Sequence, residues 1–212
     1  MGGKQWRRLM KLLGTAGSPY ARKARVAFEE KKIPYEYVIA RPSDPNSGVS
    51  NFNPLGKIPV LVCDDGRAIY DSSVIVEYVD GLVSTTRLIP DAFADRIEVK
   101  RWEALGDGID ATVAISHDER LPLPKQQSAE WYLKQQKTID AGLVTMEKDL
   151  GSRQFCYGNT FTLADIACGM ALGYLDQALP KVEWRKSCPA LRALAERLAQ
   201  RDSFRKTLPP SP

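Results

Sequence analysis

At 212 residues the chain is long for one compact domain, and two domains of unequal size are expected. Hydrophobic residues make up 43% and charged residues 26%, an ordinary globular balance in which both domains can bury a core. Thirty basic and 26 acidic side chains leave a formal charge of +4 without a dense basic run, which argues against a nucleic-acid footprint.

The first eighty or so residues alternate between strand and helix patterns. Leu9 to Leu13 reads as a strand closed by Gly14, and Ser18 to Lys32 as a helix. Ser18 is a favoured N-cap, and Pro19 takes the first helical position, where its missing N–H costs nothing. Ala24, Ala27 and Phe28 recur on one face, while Arg22 and Lys23 are assigned to a solvated face, from which Arg22 could attract an anion. Pro34 ends the helix, and Tyr35 to Ala40 is a second strand. Arg41 to Asn53 is a loop by composition. Ile58 to Cys63 is a third strand, Asp64-Asp65-Gly66 a hairpin turn, and Ala68 to Tyr70 a short fourth strand. Ser72 or Ser73 is expected to cap a helix carrying Val74, Ile75, Tyr78, Val79 and Leu82. The order β-α-β, loop, β-β-α is the thioredoxin-like arrangement, a small mixed sheet.

Beyond about Asp91 the strand signals disappear. Asp91 to Leu121 is a long helix with Ile97, Arg101, Leu105, Gly108 and Thr112 on one side. Gln126 to Leu150 is another, with Trp131, Leu133, Ile139, Leu143 and Met146 as its apolar positions. Thr162 to Leu179 is the most hydrophobic helix and is expected at the centre of an α-helical domain, and Leu191 to Gln200 is amphipathic. The domains are therefore placed at 8–83 and 91–208, with a linker within Ser84 to Pro90.

The four cysteines, Cys63, Cys156, Cys168 and Cys188, form no CxxC pair, and the one histidine, His117, has no neighbouring ligand set, so no metal is expected. Cys63 and Cys168 read as small buried apolar groups, and Trp102 and His117 as packing residues. There is no signal peptide and no apolar run that spans a bilayer, and Trp6 stands where a myristoylation signal after Gly2 needs Ser or Thr. A cytoplasmic protein with free thiols and no membrane attachment is expected.

Thr15-Ala16-Gly17-Ser18-Pro19-Tyr20-Ala21-Arg22-Lys23 carries the chemistry. The end of the first strand delivers a polar group to the start of a helix, where backbone N–H groups and the positive end of the helix dipole stabilise an anion. A redox protein of this arrangement needs Cys-x-x-Cys here. The positions are held by Ser18 and Ala21, so disulfide exchange is excluded and any thiol must come from a ligand.

With Asn53-Pro54-Leu55-Gly56-Lys57-Ile58-Pro59-Val60-Leu61 and Asp71-Ser72 in this order and spacing, the chain resembles the bacterial cytosolic glutathione transferases, near the YibF-like branch, over nearly its full length. The resemblance implies a thioredoxin-like α/β domain followed by an all-α domain. It implies glutathione as co-substrate, with Ser18 as catalytic donor to the thiolate. The family's cis-proline falls on Pro59, and the backbone of Ile58 pairs with the cysteinyl unit of glutathione. Asp71 and Ser72 receive its γ-glutamyl amine and carboxylate, and Lys57 and Tyr20 are further glutathione contacts. Thr15 and Tyr20 are alternative hydroxyls to Ser18. Asp107 is a candidate for reaching the partner's glutathione across a homodimer. Thr162 and Asp165, preceded by Gly158, match the family's capping box, a structural motif and not a general base.

The implied activity is detoxifying conjugation of glutathione to a small apolar electrophile, held against the 91–121 helix. The competing reading is a non-catalytic stress-regulatory or binding protein of the same fold. Retention of Ser18, Pro59 and Asp71-Ser72 together argues for the enzyme.

Overall fold

In the computed structural model residues 9–117 and 128–209 are described. The ends expected at Leu121 and Gln126, the side chain of His117, and Gly2 and Trp6 lie outside the described residues.

The described residues divide into two compact units, the first running to Thr86 and taking back residues 206–209, the second lying within Arg87–Arg205. The sequence assigned 206–208 to the helical domain. Lys206 and Thr207 bond instead to the first unit, where the Arg25 guanidinium donates to their carbonyls, both at 3.2 Å.

The first unit holds β1 (Lys11–Gly14), α1 (Pro19–Lys31), β2 (Glu36–Ile39), β3 (Val60–Val62), β4 (Ala68–Ile69) and α2 (Ser72–Leu82). Its sheet has the order β2-β1-β3-β4, with β1 parallel to β2 and antiparallel to β3, which is antiparallel to β4. This is the mixed thioredoxin-like sheet expected. The 41–53 loop contains two 3₁₀ turns, Pro45–Ser47 and Val49–Asn51. Leu12, Leu13, Val60, Leu61, Ala24, Ala27, Phe28, Ile75, Val76 and Val79 are all buried, which packs the sheet against its helices.

At the far end of α1 lies a buried ion cluster. The Lys31 ammonium donates to Asp80 Oδ1 at 2.9 Å and to the carbonyls of Val83, Thr85 and Thr86 at 2.7, 2.9 and 3.2 Å. Four acceptors around one buried ammonium replace its hydration and hold the chain leaving α2.

The second unit contains α3 (Phe93–His117), α4 (Ala129–Leu150), α5 (Leu163–Ala178), α6 (Trp184–Ser187), α7 (Pro189–Ala199) and α8 (Asp202–Lys206, its last residue grouping with the first unit). Two short helices, α6 and α8, escaped the sequence reading because four and five residues are too few for a periodic signal. Helix α5 is buried along most of its length and packs on α3, the arrangement expected for the central helix. Gly106 permits this: a Cβ there would lie 2.8 Å from the Ala167 carbonyl oxygen. The inward stripe of α3 is Val99, Trp102, Gly106, Ile109 and Val113, whereas Ile97 and Gly108 face outward. On α4, Ile139, Leu143 and Met146 are buried, but Leu133 is exposed and Trp131 only half-buried, because the first two turns extend past the core.

The Thr162 box forms as expected. Asp165 Oδ2 accepts the Thr162 N–H at 2.8 Å, the Thr162 hydroxyl oxygen accepts the Ala164 N–H at 3.3 Å, and Asp165 Oδ1 also accepts the Cys156 N–H at 2.8 Å. A carboxylate from another helix performs a similar task for α7. Glu147 accepts the N–H groups of Ala190 and Leu191 at 2.9 and 2.8 Å, in place of a cap side chain at Cys188.

Candidate glutathione site

The register of the sheet places the sequence-predicted residues. Leu13 pairs with Val60 across the β1–β3 ladder, and Leu61 with Ile69 across β3–β4. The C-terminal ends of β1 and β4 therefore share one edge with the N-terminal end of β3. From that edge β1 leads to Ser18, β3 is entered through Pro59, and β4 leads to Asp71-Ser72. Three segments separated by forty residues or less in sequence thus converge on one end of the sheet, as Ser18, Pro59 and Asp71-Ser72 require of a common site.

Ser18 has extended backbone angles (φ −78°, ψ 120°), and its hydroxyl oxygen accepts the Ala21 N–H at 3.2 Å. Its own amide donates to the Thr15 carbonyl at 3.1 Å, and its carbonyl accepts the Arg22 N–H at 3.0 Å. The hydroxyl is fixed as an acceptor toward the helix, so its proton is directed to other acceptors. No acidic residue occupies the first turn of α1, which leaves the positive end of its dipole uncompensated there. Tyr20 is half-buried in the first turn of the helix. Gly14 brings β1 against this helix: a Cβ on Gly14 would lie 2.7 Å from the Ala21 Cβ.

The loop before β3 is organised by Asn53, which is only 3% exposed. Its Nδ2 donates to the Lys57 carbonyl at 2.8 Å, its Oδ1 accepts the Leu55 N–H at 3.0 Å, and its carbonyl accepts the Gly56 N–H at 2.9 Å. The Ile58–Pro59 bond is cis, as the resemblance implied, and Pro59 is buried while Ile58 is half-buried and Lys57 exposed. The sequence motif contains Asn53 but does not by itself reveal this role. An Asn two residues before the turn amide it bonds is the available signal.

At the third segment the N-cap of α2 is Asp71, and not Ser72 or Ser73 as the sequence suggested. Asp71 Oδ1 accepts the Ser73 N–H at 3.0 Å and the Ser73 hydroxyl at 2.5 Å. Partial burial pushes the Asp71 carboxyl up, but the hydroxyl and amide of Ser73 and the positive charge of Lys23 outweigh it and hold it below its ordinary value. Asp71 is therefore anionic and exposed, suited to an ammonium group. Ser72, 2% exposed, occupies the first position of α2, where a carboxylate meets the helix N-terminus.

Arg22 and Lys23 lie elsewhere than the sequence suggests. Both are buried, at 8% and 1% exposure, not on a solvated face. For Arg22 the cover comes in part from Thr207, a residue 185 positions away, which local pattern cannot foresee. Burial, together with the charge of Arg25, pulls the Arg22 guanidinium down to about 10. Cys63 and Cys168 are buried as expected, and so is Trp102. Asp107 is half-buried on α3. The second unit also carries an apolar cavity of about 770 Å³ lined by Tyr132, Leu133, Ile139, Leu179, Pro180 and Val182. None of the residues predicted for the glutathione site lines it. Among the described residues no group of three or more potential ligands could hold a metal, and no helix is long and apolar enough to cross a membrane.

The comparisons with known proteins agree with this geometry. Residues 17–82 match the model of the glutathione S-transferase N-terminal domain and residues 129–197 that of the C-terminal domain. An uncharacterized glutathione-transferase-like protein of Escherichia coli, YibF, is 35% identical over 95% of this chain and 99% of its own. A glutathione S-transferase crystal structure from Methylobacillus flagellatus, with glutathione bound, is 43% identical with a TM-score of 0.90, covering 94% of this chain and 99% of that one. A second, from Methylobacterium radiotolerans in complex with glutathione sulfonate, is 36% identical with the same TM-score, covering 96% of each chain. Matched along both domains and at these identities, this chain belongs to the glutathione S-transferase family.

Proposed function

We propose that the Ser18 end of the first unit binds glutathione, stabilises its thiolate and promotes attack of the sulfur on a small apolar electrophile. The observation that carries this reading is the Ser18 hydroxyl, oriented by the Ala21 amide, on the sheet edge shared with cis-Pro59 and the Asp71-Ser72 corner. The glutathione-bound structure at 43% identity supports the choice of ligand. In this reading Asp71 accepts from the γ-glutamyl ammonium, Ser72 donates to the adjacent carboxylate, and the Ile58 backbone pairs with the cysteinyl unit. Lys57 and Tyr20 border the ligand.

A free thiol with a pKa of about 8.5 is only about 3% ionised at pH 7. Lowering it by roughly two units takes about 2.7 kcal/mol of preferential thiolate binding. One hydrogen bond to an anion supplies about 1.5–3 kcal/mol, and a helix N-terminus up to about 2 kcal/mol more. The hydroxyl and helix suffice together, without a protein nucleophile or a metal. The ligand sulfur forms a bond to the electrophilic carbon. The pair of the bond broken there departs with the leaving group or, in an addition to an activated double bond, moves away from that carbon and takes up a proton. The enzyme works in this reading as a cytoplasmic homodimer of detoxifying role, with Asp107 directed to the partner's glutathione.

Isothermal titration tests the reading. Wild-type protein is expected to bind glutathione, and Ser72→Ala to bind it more weakly. Absence of binding at millimolar glutathione would return the chain to the non-catalytic class.

A further inference from the structure

We propose that residues 206–209 form a strap that completes the glutathione site from behind, with Thr207 as a positioning residue for the first turn of α1. The proposal rests on the glutathione reading above.

The strap is built into the first unit by polar contacts along one flank of α1. Arg25 donates to the carbonyls of Lys206 and Thr207 at 3.2 Å each, and the Lys206 ammonium meets Glu29 at 3.2 Å. Thr207 is 0% exposed, and its hydroxyl oxygen accepts a long bond of 3.5 Å from Arg22 Nε. Opposite the strap, Arg25 lies over the Tyr37 ring of β2 with 4.5 Å to its centroid. The Arg25 guanidinium is thus held between a strand and a segment more than 180 residues later.

Arg22 transmits this arrangement to the site. Its N–H closes the first turn onto the Ser18 carbonyl at 3.0 Å, beside the Ala21 bond that orients the hydroxyl. Without the strap, two guanidinium groups lose acceptors in a partly buried setting and repel each other. Swinging out to solvent relieves both costs and loosens the first turn, which weakens the helix N-terminus that holds the thiolate. Burial and the neighbouring Arg25 charge lower the Arg22 guanidinium to about 10, which leaves it charged at neutral pH, so a buried charge sits on the bond that Thr207 accepts.

The test compares wild type with Thr207→Val, which keeps the shape and removes the acceptor, Thr207→Ser, and a chain ended at Arg205. Each is titrated with glutathione, and the thiol pKa of bound glutathione is read from ultraviolet thiolate absorbance. Losing one such acceptor predicts an affinity for Thr207→Val about 2- to 10-fold weaker, with a raised thiol pKa. Thr207→Ser is expected to restore both, and the chain ended at Arg205 to lose more than either while keeping its helical circular dichroism. Wild-type affinity and thiol pKa in Thr207→Val overturn the proposal, including when the shortened chain fails to fold, since the strap then serves stability alone. A wild-type protein that binds no glutathione removes the functional reading itself, and the strap's role with it.

Discussion

The Ser18 hydroxyl accepts the N–H of Ala21 at 3.2 Å, so one oxygen caps the helix and presents a proton at the same time. The two roles separate by substitution. Ser18→Ala loses both, costing about 0.5–2 kcal/mol of stability. Ser18→Asp keeps the cap and places a negative charge where the thiolate sits. Denaturant titration is expected to find Ser18→Asp as stable as wild type and Ser18→Ala less stable, while both bind glutathione with a raised thiol pKa.

Gly14 leaves no room for a side chain, since a Cβ there would lie 2.7 Å from the Ala21 Cβ. Gly14→Ala must shift α1 away from β1. Overpacking of this kind costs about 1–3 kcal/mol. Both a lowered denaturation midpoint and weakened glutathione binding are expected, because the displaced helix carries Ser18. Unchanged binding would show that the site tolerates movement of α1.

The Lys31–Asp80 pair has side-chain exposures of 0% and 3%, and Lys31 also serves three carbonyls. Removing one member of a buried pair leaves an uncompensated charge, at a cost of about 3–5 kcal/mol. Lys31→Met is expected to lose stability of that order in urea, with Lys31→Met/Asp80→Leu recovering part of it. A double variant no better than the single one contradicts this account.

Two carboxylates give opposite pH signatures. Asp71 is held below its ordinary value, so its cap is present at neutral pH and is lost only as pH falls through that lowered value. Asp165 is raised: burial dominates over the bonds it accepts from the Cys156 and Thr162 amides. The folded state then binds its proton more tightly than the unfolded chain, so its contribution to stability declines as pH rises from the ordinary carboxyl range of about 3.9 to the raised value. Stability measured against pH in Asp71→Asn is expected to lose the wild-type drop at the acid extreme, and in Asp165→Asn to lose the decline above it. Asp165→Ala orphans two buried amides at about 1–3 kcal/mol each, yet leaves glutathione affinity unchanged in the folded protein.

Much of this was legible in the sequence because it is local. Ser18-Pro19 announces a cap and a first turn, Thr162-x-x-Asp165 a capping box, and Pro59 and Asp71-Ser72 sit in motifs with fixed spacing. The alternation of patterns to about residue 83, and its loss after 91, yields both fold classes. What was missed acts across distance or depends on small differences. Arg22 and Lys23 look like surface residues until Thr207 and the packed helices cover them. The capping role passes from Ser72 to Asp71 because the carboxylate reaches the Ser73 amide from one position earlier. Asn53 and Glu147 organise segments by bonding backbone amides or carbonyls, and neither stands out by residue type.

The central claim is that the Ser18 end of the sheet makes glutathione a better thiolate. Titrating the ultraviolet absorbance of the thiolate in the wild-type complex tests it most directly. A midpoint roughly two units below the free-thiol value of about 8.5 is predicted, moving back toward it in Ser18→Ala. A bound thiol that titrates like free glutathione, or one whose midpoint ignores Ser18, would contradict the account.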